Sequence, residues 1–159
     1  MLVKQLGGTG VTQSLFAALS IAMMASGNLG ASSIANRFRG QWLVMASFVL
    51  MFAGIIVAAI SSSLPVLAVA QAIMGLAQGL GYPVLMGLSI QHVQNADRST
   101  AMGLHQAVYA IGMFAGPALS GVLASAMGIQ PMFGVTAVAC LALGLSGARL
   151  LDGKQSVEP

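Results

Sequence analysis

The spacing of its charges constrains this chain more than any other feature. Between Lys4 and Arg37 lie 32 residues without Asp, Glu, Lys or Arg; between Arg39 and Asp97 lie 57, and between Arg98 and Arg149 lie 50. A soluble domain is typically about 25% charged, whereas this chain is 6% charged and 57% hydrophobic. A soluble surface cannot be built from that, and the chain is too apolar to be disordered. Its net charge of +3 is too small and too scattered for nucleic-acid binding. The single cysteine, Cys140, excludes a disulfide framework and a cysteine-cluster metal site. What remains is a membrane protein whose first partner is the lipid bilayer.

A helix crossing a bilayer needs about 20 mostly apolar residues. The first uncharged stretch therefore holds one span and each of the others holds two. The 57-residue stretch turns at Ser61-Ser62-Ser63-Leu64-Pro65, and the 50-residue stretch at Met127-Gly128-Ile129-Gln130-Pro131. Each turn ends in a proline placed to open the next helix. The expectation is an all-α membrane protein of five transmembrane helices, at about 9–34, 41–60, 65–92, 100–126 and 131–151. A barrel is disfavoured, because segments such as Phe48 to Ile60 are continuously apolar rather than alternating. A signal peptide over residues 1–30 fits weakly, since Leu29-Gly30-Ala31 is a poor cleavage site.

Orientation follows from the basic residues. Arg37 and Arg39 fall after the first span, Arg98 after the third, and Arg149 and Lys154 after the fifth, all on one side. Only Lys4 falls on the other. The positive-inside rule makes the crowded side cytoplasmic. The C-terminus is then inside, at the plasma (inner) membrane, and the N-terminus is outside. An outside N-terminus with no preceding helix leads us to expect further chain upstream.

Polar residues divide the spans. The second has Ser47 as its only polar residue after Trp42, and the fifth has only Thr136, Cys140 and Ser146; both read as lipid-facing supports. The other three carry polar stripes. At about 100° per residue, Gln71, Gln78, Tyr82 and Ser89 fall within roughly 40° of one another on the third span. His105, Tyr109, Gly112 and Gly116 share a face of the fourth, and Thr9, Gln13, Ser20 and Gly27 share a face of the first. Amides and hydroxyls in hydrocarbon must be paired, so these faces meet other helices or a wet cavity. Interhelical hydrogen bonding alone accounts for Gln13, Ser20 and Ser89 as well as a cavity does. Two amides and a phenol on one stripe exceed what packing needs, which favours a cavity at Gln71, Gln78 and Tyr82. His105 lies within two turns of the next loop, where an interfacial histidine is more usual than a proton carrier. No Asp, Glu, Lys or Arg lies within a span, so an ion-coupling carboxylate is absent from these residues. The glycines of the third and fourth spans, with Pro117, serve close packing, helix bending, or both.

These residues resemble the major facilitator superfamily of secondary transporters. Arg98-Ser99-Thr100-Ala101-Met102-Gly103 resembles the family's Arg-x-x-Ala-x-Gly segment. Gly112-Met113-Phe114-Ala115-Gly116-Pro117-Ala118-Leu119-Ser120-Gly121 resembles its G-x-x-x-G-P-x-x-G-G kink motif, with Ser120 in place of a glycine. Ile34-Ala35-Asn36-Arg37-Phe38-Arg39 is similar to a degenerate D-R-x-G-R loop. Asn36 replaces the Asp and Arg39 the Gly, which weakens a charge-based gate. Gly75 to Pro83 looks like the helix before the kink motif, and Leu6-Gly7-Gly8-Thr9 like an external loop.

The resemblance implies twelve helices in two six-helix halves, of which this chain is five. The kink motif is best known in amino-terminal halves. Gln71 in place of an arginine, the degraded loop and the position of the last helix point to the carboxy-terminal one. The expectation is helices eight to twelve: residues 1–151 form a partial carboxy-terminal bundle, and 152–159 a cytoplasmic tail. The function implied is transport of a small-molecule solute by alternating access. Gln71, Gln78, Tyr82, His105 and Tyr109 would contact solute, and Arg37, Arg98, Gly112, Gly116, Pro117 and Gly121 would gate or bend. The missing amino-terminal half would come from the same chain or a partner chain, and five helices alone would not transport. The other class open to this sequence is a non-transporting membrane scaffold or a half-transporter needing a partner. No cofactor is expected. An enzyme is the weakest reading, since the sequence holds no carboxylate pair, Ser/His/Asp set or phosphate loop.

Overall fold

The computed structural model describes residues 2–34 and 37–155. Ala35 and Asn36 of the degenerate loop and tail residues 156–159 lie outside the described residues. A four-residue helix, α1 (Leu2–Gln5), precedes five long ones: α2 (Gly10–Ile34), α3 (Gly40–Ala59), α4 (Leu64–Ile90), α5 (Arg98–Met127) and α6 (Ile129–Gln155). Each long helix contains a stretch apolar and long enough to cross a membrane. No strand occurs among the described residues. The long helices end within four residues of the sequence expectation, the largest difference being α6, which continues to Gln155 through the first part of the expected tail.

Local chemistry sets the boundaries. Gly7, at φ +79°, takes the left-handed conformation that ends α1, and the Gly8 N–H donates to Val3 O. Extended Ser63 precedes α4, and Pro65 sits in its first turn, where a missing N–H costs nothing. Gly128, at φ +91°, closes α5 by donating its N–H to Ala124 O. Within the helices, Ser14, Ser26, Ser33, Ser89 and Thr136 each donate a hydroxyl to the carbonyl four residues back. Those hydroxyls are satisfied inside their own helix, as a bilayer demands.

The middle of the bundle is α4. It runs parallel to α2, as the Ser20–Gly75 and Gly27–Gly79 approaches show, and antiparallel to α3, where Gly40 meets Leu88 and Gly54 meets Met74. α3 in turn packs on α6, with Phe48 lying against Gly144. α5 packs chiefly on α6 and α4, and lightly. A small apolar cluster of Ala58, Leu67 and Ala70 gathers at the end away from the arginines, with Leu6, Phe16 and Phe133 around it. By the alternation of the helices, Arg37, Arg39, Arg98 and Arg149 stand at the opposite, basic end.

Sequence patterning misread α3. As the most apolar helix it looks like a peripheral support, yet it buries Leu43, Val44, Ser47, Gly54, Ile55 and Ala58 between α4 and α6. α5, which carries the polar and glycine pattern, buries no residue at all. Lipid and protein interior are equally apolar, so hydrophobicity does not distinguish a helix facing one from a helix facing the other.

Candidate functional site

All five long helices converge on one cavity of about 510 Å³. Its back wall is Ala77 and Gly81 of α4. Glycine at 81 gives Ser47 its room, since a Cβ there would lie 2.7 Å from Ser47 Oγ and force that side chain to shift. Ser47 itself is buried and donates its hydroxyl to Val44 O at 2.7 Å. α4 then presents Gln78, Tyr82 and Leu85 to the cavity, and α5 presents Tyr109 and Met113. Met24 and Asn28 come from α2, Phe48 and Met51 from α3, and Cys140 from α6.

Polar side chains fasten α4 to α5 along the rim. The Gln106 amide donates to the Tyr82 hydroxyl at 2.6 Å. The Tyr82 and Tyr109 rings lie 5.2 Å apart, tilted by 60°, a favourable aromatic arrangement. His105 sits beside Tyr82, ring centroids 6.2 Å apart, and its Nδ1 is 2.9 Å from Ser89 Oγ. The Ser89 proton serves Leu85 O at 2.8 Å. A hydroxyl has one proton, so the imidazole tautomer sets the direction of the His105–Ser89 bond. The phenol of Tyr82 accepts from Gln106, which leaves its own proton to donate elsewhere.

The candidates named from the sequence separate into four groups. Gln78, Tyr82 and Tyr109 meet at the cavity. His105 joins them from the rim without lining it. Gln71 does not join: it shares a different, shallower cavity with Gln13, Phe16 and Ser20, against α2. Gln71 and Gln78 lie on one stripe, but seven residues of helix separate them by about 10 Å along the axis. Arg37 and Arg98 are exposed at the basic end, with Arg98 Nε donating to Val93 O at 3.4 Å. Gly112, Gly116 and Gly121 form the fourth group, with Pro117 inside the same helix. A Cβ at any of these three glycines would meet nothing within 4 Å.

Sequence reading missed Gln106, Asn28, Phe48 and the sulfur-bearing wall. Gln106 immediately follows His105 and so lies about 100° around the helix, off the His105–Tyr109 stripe. Ser47 and Cys140 were visible as isolated polar residues on apolar helices, and that isolation was their signal: each faces the cavity. A third groove, of about 420 Å³, opens at the basic end between Arg39, Leu43, Pro83 and Leu88. It touches neither α5 nor α6.

A bundle of membrane-length helices around a side-chain-lined cavity defines an integral, multi-pass membrane protein. The family profile described as Major Facilitator Superfamily matches residues 1–158, so the chain belongs to that superfamily. No curated protein sequence matches it. Members of the family are transporters rather than enzymes.

Proposed function

We propose that this chain forms the solute-facing part of one half of a secondary transporter and moves a small molecule by alternating access. The observation that carries this reading is the convergence of all five long helices on one cavity, where Gln78, Tyr82 and Tyr109 meet. A scaffold needs no such convergence, and amides and phenols within a membrane span are costly to keep without a use.

The basic end is cytoplasmic, as the positive-inside rule requires. Arg37 and Arg98 anchor that end and take part in gating there. The chain corresponds to helices eight to twelve of the fold, and an opposing bundle completes the pathway. α5, which buries no residue, supports this, because its apolar face and its uncovered glycines suit a second bundle better than single lipid tails.

The test is transport in a host stripped of its own carriers, expressing the protein together with its opposing bundle. A panel of labelled solutes is screened, and the responding solute is re-measured in Gln78→Ala and Tyr82→Phe. Loss of about tenfold or more in transport rate is expected for Gln78→Ala, through an unpaired solute group. Unchanged transport in both variants would sink the cavity assignment. The 159-residue chain alone in liposomes is expected to give no uptake. Uptake by that chain, without assembly into a larger pathway, would remove the need for an opposing bundle.

A further inference from the structure

We infer that the central cavity takes an uncharged, planar aromatic solute of about two or three fused rings, bound between sulfur and aromatic side chains and oriented by the Tyr82 hydroxyl. This rests on the transporter reading for the movement of the solute, though binding itself is argued from the cavity alone.

Charge comes first. No Asp, Glu, Lys or Arg lies between residues 5 and 36, 40 and 96, or 99 and 148, so none reaches the cavity from the spans around it. An ion entering a site without a counter-charge forfeits several kcal/mol of hydration. Phe48 and Tyr82 are only half-buried and Tyr109 is exposed, and at exposed sites a ring face offers a cation about 0.5–1 kcal/mol. No group of this chain offsets the deficit, so its wall of the cavity favours a neutral molecule.

Shape and softness come next. A cavity of about 510 Å³ is some three times the roughly 150 Å³ that encloses a single benzene. Its sulfur atoms come from four helices: Met24 on α2, Met51 on α3, Met113 on α5 and Cys140 on α6. Thioethers favour the edges of aromatic rings and adapt to irregular outlines. Tyr82 and Tyr109, already tilted against each other at 5.2 Å, offer an edge and a face to a third ring.

Polarity supplies orientation. Gln106 occupies an acceptor site of the Tyr82 hydroxyl, which directs that hydroxyl to donate. Ser47 is already bonded to Val44 O. The carboxamides of Gln78 and Asn28 provide both donors and acceptors on the cavity wall. The matching solute carries a carbonyl or ring nitrogen for Tyr82 and an N–H or O–H for an amide oxygen. Sugars, with hydroxyls on every side, find too few partners here.

Cys140 is the only cysteine in the sequence and lines the cavity, which makes it a built-in reporter. The experiment measures alkylation of Cys140 by N-ethylmaleimide, read by mass spectrometry, on the full protein in membrane vesicles. Three probes are compared: acridone, which is neutral, planar and three-ringed with one carbonyl and one N–H; N-methylacridinium, of similar shape but cationic; and glucose. Acridone is expected to slow alkylation at least fivefold in a saturable way, with less than twofold from the other two. Tyr82→Phe should raise the half-protecting acridone concentration about fivefold, the worth of one hydrogen bond. Val138→Cys in a Cys140→Ser background places the thiol on the exposed face of α6, where acridone should have no effect. Met113→Cys in the same background reports from the α5 wall and serves if Cys140 itself resists alkylation.

Protection of the Val138→Cys reporter equal to that at the cavity would overturn the proposal, since it means partition into lipid. Stronger protection by N-methylacridinium would replace it with a cation site. Absence of acridone protection at both Cys140 and Met113→Cys, while some other solute is transported, overturns this solute class and leaves the transporter intact. Saturable acridone protection with no transport of any solute does the reverse.

Discussion

The two seams that α4 makes, with α2 and with α5, use similar residues to opposite ends. On the α2 side, a Cβ at Gly79 would collide with Met24 O and with Gly27, and one at Gly75 with Ser20 O. At Gly27 it would lie 2.7 Å from Leu76 O. The backbones touch, and only glycine allows that. On the α5 side the backbones stay apart, and the contact is made by Gln106 on Tyr82, His105 on Ser89 and Tyr109 on the Tyr82 ring. The glycines of α5 lie in open space instead. One seam is rigid because nothing in it can be compressed. The other is a line of side-chain contacts that can part and re-form. In the alternating-access reading proposed above, the first seam serves as a fixed wall and the second as the one that shifts.

The largest effect that would break this contrast is at the backbone seam. Gly79→Leu should abolish folding, read as aggregation on size exclusion after solubilisation. Gly79→Ala should lose about 1–3 kcal/mol or more, because backbone atoms rather than flexible side-chain tips stand in the way. Wild-type stability in Gly79→Ala would mean that α2 and α4 are not in close contact.

The same exchange on α5 should behave differently. Gly112→Ala and Gly116→Ala are expected to be neutral, or stabilising by up to about 1 kcal/mol through helix propensity, in the isolated chain. A loss of stability that appears only when the opposing bundle is present would show that bundle covering α5. A loss in the isolated chain would contradict the open geometry.

Side-chain coupling is the intermediate case. A double-mutant cycle on Tyr82→Phe and Gln106→Leu should return about 0.5–1.5 kcal/mol, measured by reversible unfolding in mixed micelles. A coupling of zero would leave the α4–α5 seam without its principal polar link. Ser89→Ala should cost less, about 0.6 kcal/mol, the average for hydrogen bonds between membrane helices. Because Ser89 also bonds Leu85 O, His105→Ala in the same background isolates the interhelical part.

How far the sequence could be read depended on what each signal encodes. The five spans were legible from uncharged length alone, and their ends from Pro65, Gly128 and the arginines. The grouping of Gln78 with Tyr82 was legible too, being one helical turn apart. The separation of Gln71 from them was not, because periodicity records the angle around a helix and omits which neighbour stands at each height. Tyr109 was placed with His105 by its own stripe, but its meeting with Tyr82 depends on where α5 crosses α4. Phe48, Met51 and Met113 gave no sign of being cavity residues, since apolar side chains look alike against lipid, protein or solute.

The sequence by itself determined that this chain lives in a membrane, how many times it crosses, and where each crossing begins. Those follow from the cost of placing charge and unpaired backbone in hydrocarbon, which acts on each residue separately. Only the tertiary structure decided that the very apolar α3 packs between α4 and α6, that Gly75, Gly79 and Gly81 of α4 are covered while the glycines of α5 are open, and that sulfur and aromatic side chains from five helices line one cavity. Inside a bilayer the hydrophobic effect does not choose between helix faces. Packing chooses, through close contact between parts of the chain far apart in sequence.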